Sequence, residues 1–239
     1  YAPFKLFGRG LHPTHRAALK GLLKLGVPMG AGILIEVTGF STMALLISRI
    51  GTVPVAGHQV ATNIVSLMFM LPLALANASS TLVAQRIGAG DLPDARRIGW
   101  HSLAFGVALS AALGAAVFVA RHGVVGLYTA NPAIAGAALP LLTWVVLFHI
   151  ADAIQTITAF VLRAWRIATV PMVIYAGALW GVGLGGGYVV AFNLSGATPA
   201  ALLGARGFWA ASTTGLVVAS IALSVFMLLV LRPQARPAG

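Results

Sequence analysis

Six long apolar runs, each cut off from the next by a short polar or glycine- and proline-bearing break, leave this chain few ways to fold. The runs cover about 25–49, 55–84, 98–120, 135–163, 171–193 and 208–231. A helix needs roughly 20 mainly apolar residues to cross the hydrocarbon layer of a bilayer. Inside lipid, a helix is the one open-ended element that bonds its own backbone polar groups. The expectation is an all-α integral membrane protein, with a six-helix transmembrane bundle over 25–231. A cytoplasmic linker with a short interfacial helix would precede it at 1–24, capped by Thr14, and a cytoplasmic tail would follow at 232–239. Composition points the same way: with 59% hydrophobic and 8% charged residues, the chain has too few polar groups to clothe a soluble domain.

The formal charge of +11 does not indicate nucleic acid, because the basic residues sit between the apolar runs and not along one face. Counted loop by loop, twelve Lys and Arg fall on one side of the six spans (residues 1–24, Arg86, Arg96, Arg97, Arg163, Arg166, Arg232 and Arg236) and three on the other (Arg49, Arg121 and Arg206). Cytoplasmic loops carry the excess of positive charge. Both chain ends are therefore expected in the cytoplasm, and the protein in a bacterial inner membrane as a multi-pass protein. The sequence has no cysteine, which excludes thiol and disulfide chemistry. It starts at Tyr1 without the pattern of a cleavable signal, so the chain is expected to be the later part of a longer protein.

Of four acidic residues, Asp91 and Asp94 fall in an arginine-rich loop, whereas Glu36 and Asp152 lie inside apolar runs. A charged side chain at mid-bilayer costs roughly 2.5–3.5 kcal/mol on insertion scales, and such residues usually carry function. Glu36 and Asp152 each lie about eleven residues from the cytoplasmic end of their run, which places both roughly 16–17 Å deep at 1.5 Å per residue. Two carboxylates at one depth are able to line one cavity if their helices are neighbours. Neither run offers a Lys or Arg at that depth. Protonation, a bound cation or a base from elsewhere remain as the means of neutralising them. His149, Gln155 and Thr156 share or adjoin the helical face of Asp152, and Asn63 is a further polar residue within the second run; these four are expected to support the site. His58 and Gln59 read as residues near the outer end of the second span. The fifth run carries Gly177, Gly181, Gly183 and Gly187, two small-xxx-small pairs suited to helix packing. The third, rich in Ala, Gly and Val, also suits close helix contact. No zinc-ligand spacing, phosphate loop or nucleophile elbow is present, so the chain is not expected to be an enzyme or to need a resident cofactor.

The run 51–99, GTVPVAGHQVATNIVSLMFMLPLALANASSTLVAQRIGAGDLPDARRIG, resembles the signature of the multidrug and toxin extrusion (MATE) family, in particular its NorM-like branch. The likeness continues through FHIADAIQTI, Leu162-Arg163, WGVGLGGGY at 180–188 and Gly207-Phe208-Trp209. It covers nearly the whole chain but only the second half of a twelve-helix pattern. The resemblance implies the C-terminal lobe of a transporter in which two six-helix lobes rock about a central cavity. Entry of Na⁺ or H⁺ would drive export of small cationic organic compounds. Glu36 and Asp152 fall on the family's acidic positions in the first and fourth helices of this lobe, the cation-coupling pair, and they would serve as metal ligands if the ion is Na⁺. The implied partners are the lipid bilayer and an N-terminal six-helix lobe, from the same protein or a second chain. Two alternatives stay open: a flippase of lipid-linked sugars on a related fold, and a half-transporter with an interaction role only. The chain departs from the family in the loop Arg163-Ala164-Trp165-Arg166-Ile167-Ala168, which lacks the usual glycine and aspartate. It also has Gly185 for a proline and Ala84 for a glycine.

Overall fold

The computed structural model describes residues 16–232. Thr14, the rest of 1–15 and nearly all of the tail lie outside them. Among the described residues there are helices and turns and no strand. Six helical spans are long and apolar enough to cross a membrane: Leu19–Ser48, Thr52–Gly88, Leu92–Val119, Pro132–Ala164, Thr169–Ala191 and Ala205–Val230. Each overlaps an apolar run read from the sequence. The first helix, α1 (Arg16–Ser48), is unbroken among the described residues, so Arg16, Lys20 and Lys24 occupy the opening turns of the same helix that makes the first span, with no separate interfacial helix between.

Local chemistry sets the breaks. Gly51, at φ 149°, turns the chain into α2 (Thr52–Gly88). The carboxylate of Asp91 accepts from the backbone N–H of Asp94, and Pro93 sits within the first turn, which starts α3 (Leu92–Val119). The short α4 (Arg121–Tyr128) follows. Asn131 then accepts from the N–H of Ala133 and, with Pro132, starts α5 (Pro132–Ala138). A 3₁₀ turn, Leu141–Trp144, joins α5 to α6 (Val145–Ala164). The fifth span is α7 (Thr169–Ala176), a π-helical stretch Gly177–Gly186 and α8 (Gly187–Ala191). The sixth is α9 (Ala205–Val230).

Helix α6 is the hub, packed on α2, α3 and α9. Glycines bring α3 onto it: Gly99 stands against Val161, Gly106 against Ile157 and Gly114 against the backbone of Val146. Gly99 also meets Met227 of α9, and Arg163 of α6 touches Met29 of α1. The start of α1, the α2–α3 turn, the α6–α7 turn and the end of α9 therefore share one end of the bundle. Nine of the described Lys and Arg residues lie at this basic end, against Arg49, Arg121 and Arg206 elsewhere. Of the two glycine pairs in the fifth span, Gly183 and Gly187 pack on Ser212 and Phe208 of α9, while Gly177 and Gly181 face open space. Helix α1 is tied in at mid-height, where Trp180 Nε1 donates to the carbonyl of Ile35 at 3.1 Å.

Arg166 closes α6 in the left-handed region, at φ 62°. Its N–H donates to the Arg163 carbonyl and that of Ile167 to the Leu162 carbonyl, a helix stop that glycine usually provides. A side chain in this conformation costs about 1 kcal/mol or somewhat more. Arg166→Gly is therefore expected to raise the thermal midpoint of the detergent-solubilised protein by a few degrees, as read from the loss of its monodisperse gel-filtration peak after heating. A lower midpoint would mean that the arginine side chain holds the turn.

Candidate functional site

Two cavities open between the helices. The smaller, of about 340 Å³, is walled by Glu36 and Phe40 of α1, Thr62 and Ser66 of α2, Asp152 of α6 and Tyr175 of α7, with Trp209 and Leu216 of α9 beneath them. The larger, of about 400 Å³, lies toward the basic end and is walled by α1, α2, α6 and α7. Glu36, Val37, Phe69 and Tyr175 border both, so they stand where the two spaces meet.

The helical register makes this arrangement. On α2, Thr62, Ser66 and Phe69 follow one another at i, i+4 and i+7 and present a single stripe to the smaller cavity. On α6, Phe148 and Asp152 continue through Thr156, Ala159 and Arg163 along one stripe that runs from the smaller cavity into the larger. Helices α1 and α6 face each other across the void, and Glu36 and Asp152 border the same space. Asp152 is buried, with 9% of its surface exposed. The one ion pair among the described residues joins Arg86 to Asp94 at 2.9 Å, so neither intramembrane carboxylate has a basic partner there.

The remaining polar residues divide between cavity and packing. Gln155 and Thr156 line the larger cavity, and the Thr156 hydroxyl donates to Gln155 Oε1 at 3.0 Å. His149 is fully buried, borders neither cavity, and has no hydrogen-bond partner on either ring nitrogen, so it does not hold Asp152. Asn63 is exposed, borders neither cavity, and donates to the carbonyl of Gln59 within its own helix. His58 is absorbed by packing: Trp209 Nε1 donates to its Nδ1 at 3.2 Å, and Trp209 stacks in turn against Phe148. That bond makes Nδ1 the acceptor of a neutral imidazole.

Sequence reasoning missed Tyr175, Thr62 and Ser66. All three carry hydroxyl oxygens and line the smaller cavity with the two carboxylates. The i, i+4 spacing of Thr62 and Ser66 was the available signal on α2. Among the described residues no group of three or more His, Asp or Glu side chains is placed to hold a metal. A pair of carboxylates among hydroxyls is a donor set of hard oxygens, suited to a proton or a weakly held alkali cation and not to zinc.

Fold and cavities together define a membrane-spanning six-helix unit whose smaller cavity, among the described residues, is lined by two carboxylates and by no Lys or Arg. The model of the MatE family matches residues 28–189, and the chain belongs to that family. It is similar to a probable multidrug resistance protein NorM of Aromatoleum aromaticum, 38% identical over 237 residues, covering 98% of this chain and 50% of the relative. A probable multidrug resistance protein NorM of Chromobacterium violaceum is 37% identical over 205 residues, covering 86% and 43%. Among solved structures, an outward-facing multidrug resistance MATE transporter of the MOP superfamily superposes with a TM-score of 0.82 at 18% identity, over 94% of this chain and 49% of the other. The eukaryotic MATE transporter AtDTX14 gives 0.81 at 21% identity, over 95% and 51%. These structures show the shared fold. The chain spans about half the length of the curated relatives it matches. It is a multi-pass membrane protein of a transporter family and not of an enzyme family.

Proposed function

We propose that this chain is the C-terminal lobe of an antiporter that exports small cationic organic compounds, driven by Na⁺ or H⁺. Asp152 and Glu36 form its cation site. The observation that carries the reading is that two carboxylates from different helices border one cavity with no Lys or Arg among the described residues of its lining. In one state a cation neutralises the pair. In the other, a cationic substrate displaces it, and the shift of the lobes that follows is alternating access. Thr62, Ser66 and Tyr175 add oxygens to the cation's shell. The second lobe, which the relatives' doubled length suggests, supplies the opposite wall. Both chain ends face the cytoplasm of a bacterial cell, by the charge asymmetry.

A flippase for lipid-linked sugars fits less well, since such a cavity should offer several bases and, among the described residues, Arg163 is the only Lys or Arg bordering either space. A purely interacting half-transporter gives no reason for two unpaired intramembrane carboxylates.

The deciding experiment imposes gradients separately. Proteoliposomes carrying the full-length gene product are loaded with ethidium, and a Na⁺ gradient or a pH gradient is applied alone. One of the two gradients is expected to drive efflux against the ethidium gradient. Efflux indifferent to both would overturn the proposal.

A further inference from the structure

Glu36 sits on the span least able to hold it in place. Before it, α1 carries Gly26, Pro28, Gly30 and Gly32, and a β-carbon on any of these glycines would meet nothing within 4 Å. Past it, the hydroxyl of Thr38 donates to the carbonyl of Leu34 at 2.6 Å, and that of Thr42 to the carbonyl of Thr38 at 2.7 Å. Hydroxyls bonded back in this way slightly destabilise a helix and often bend it. Of the six spans, α1 is also the least buried. Among the described residues, one hydrogen bond between nitrogen and oxygen ties it to another helix. That bond runs from Trp180 Nε1 to the carbonyl of Ile35, the residue before Glu36.

The sequence prepares this bond from both sides. Helical side chains tilt toward the N-terminus, so the residue at i+4 lies over the carbonyl of residue i. Here that residue is Gly39, and the Ile35 carbonyl stays open. A β-carbon on Gly39 would stand 3.0 Å from Cδ2 of Leu179 and 3.6 Å from the indole nitrogen. On the donor side, Trp180 belongs to the π-helical stretch, a rare backbone form that recurs at functional sites. The stretch is itself seated on α9, where Gly183 meets Ser212 and Gly215 meets the Ala178 carbonyl. The indole therefore reaches α1 from a backbone that is held. It borders neither cavity, so its part in the site is played through α1. A buried indole N–H usually finds some partner, and packing alone would account for a bond. The place of this one matters more. A turn of α1 by one residue, about 100°, would carry Glu36 out of the wall it shares with Asp152 and Tyr175.

We propose that Trp180 is a positioning residue for the cation site: its indole N–H, bonded to the Ile35 carbonyl, holds α1 in the rotation that keeps Glu36 in the wall of the smaller cavity with Asp152. Trp180 adds no ligand to the ion. It sets how well the two carboxylates share one. The inference rests on the reading of Asp152 and Glu36 as the cation site of an exporter.

The test uses the full-length protein in proteoliposomes, with ethidium efflux driven by whichever gradient, Na⁺ or H⁺, drives the wild type. The concentration of that ion is varied, and half-saturation and maximal rate are read separately. Trp180→Phe keeps an aromatic ring and loses the N–H. It should raise the half-saturating ion concentration roughly three- to tenfold, the range of an interhelical hydrogen bond in lipid, and leave the maximal rate nearly unchanged. Trp180→His should stay close to the wild type, because Nε2 of a neutral imidazole takes the ring position of the indole nitrogen and is able to donate. In a Glu36→Gln background, Trp180→Phe should change nothing further, since a residue that acts through Glu36 loses its effect along with it. An unshifted half-saturation in Trp180→Phe overturns the proposal, whatever happens to the thermal midpoint. So does an equal shift in Trp180→His, or a shift that persists in Glu36→Gln. If Trp180→Phe gives no monodisperse peak, Trp180→His decides: half-saturation near the wild type supports the proposal, and a shifted value overturns it. Loss of the peak in both variants would make the indole a packing residue and overturn it as well. Wild-type efflux indifferent to both gradients would take the exporter reading with it. Ion-driven efflux with the same half-saturation in Trp180→Phe as in the wild type would leave that reading standing while this inference fell.

Discussion

Asp152→Asn is expected to abolish ion-driven efflux while the protein still inserts and folds. Asparagine matches the volume of aspartate, so the stripe from Phe148 to Arg163 along α6 keeps its packing, and no salt bridge is broken because none was present. Only the formal charge is lost. Removing one charged ligand from a desolvated charge pair costs roughly 2–5 kcal/mol, or from about thirtyfold upward in cation affinity. The driving force suffers too. A transmembrane potential contributes about 2.3 kcal/mol per elementary charge per 100 mV, and a site with one carboxylate fewer carries one charge fewer between its two states. Ethidium efflux from energised membrane vesicles should fall to that of vesicles without the protein, with the amount in the membrane unchanged by immunoblot. Glu36→Gln should be the milder change, since Glu36 borders both spaces and the buried Asp152 remains. Undiminished efflux in Asp152→Asn would remove the cation site from the mechanism.

What the sequence disclosed and what it withheld have distinct physical causes. All six spans were legible, because length and apolarity decide what crosses a bilayer and neither depends on neighbours. The caps at Asp91 and Asn131 fall in breaks whose glycine and proline were legible, though the capping residues themselves were not singled out. That Glu36 and Asp152 are able to border one space was legible too, because rise per residue is a property of one helix. Rotation about the helix axis was harder. Successive residues differ by about 100°, so a one-residue error moves a side chain from cavity to surface. Asn63 was singled out for its polarity, yet its neighbour Thr62 lines the site, with Ser66 one turn on. On α6 the cavity stripe begins at Phe148 and not at His149, which turns into the packed interior. Tyr175 was hidden because a lone tyrosine in an apolar run suits core, interface and site equally. Which glycines pack was equally hidden: a small-xxx-small pattern states that close approach is allowed and not which partner uses it. Gly183 and Gly187 meet α9, and Gly177 and Gly181, with the same spacing, meet nothing.

That contrast among glycines carries a large expected effect on stability. Gly215 lies on α9 where it crosses the π-helical stretch of the fifth span. A β-carbon there would stand 2.6 Å from the carbonyl oxygen of Ala178 and 3.2 Å from the nitrogen of Gly183. Both are backbone atoms, so no side chain is able to swing aside. Nor does the π-helical stretch have room to slide along α9, since a β-carbon on Gly183 would itself be 3.4 Å from the Cα of Ser212. Close backbone approach of this kind is how helices gain packing energy in lipid, where no hydrophobic force draws them together. Overpacking a tight contact costs roughly 1–3 kcal/mol, and a domain of this size loses about 2–4 °C of thermal midpoint per kcal/mol. Gly215→Ala should therefore lower the midpoint of the solubilised protein by several degrees, and Gly215→Val should prevent recovery of a monodisperse peak. Gly181→Ala is the matched control: it adds the same methyl group to the same pair of spans where nothing lies within 4 Å, and it replaces a poor helix former with the best one. It should leave the midpoint unchanged or raise it. If the two alanine variants lost the same number of degrees, the cost would belong to glycine's backbone alone, and the contact between α9 and Ala178 would not be what holds the fifth and sixth spans together.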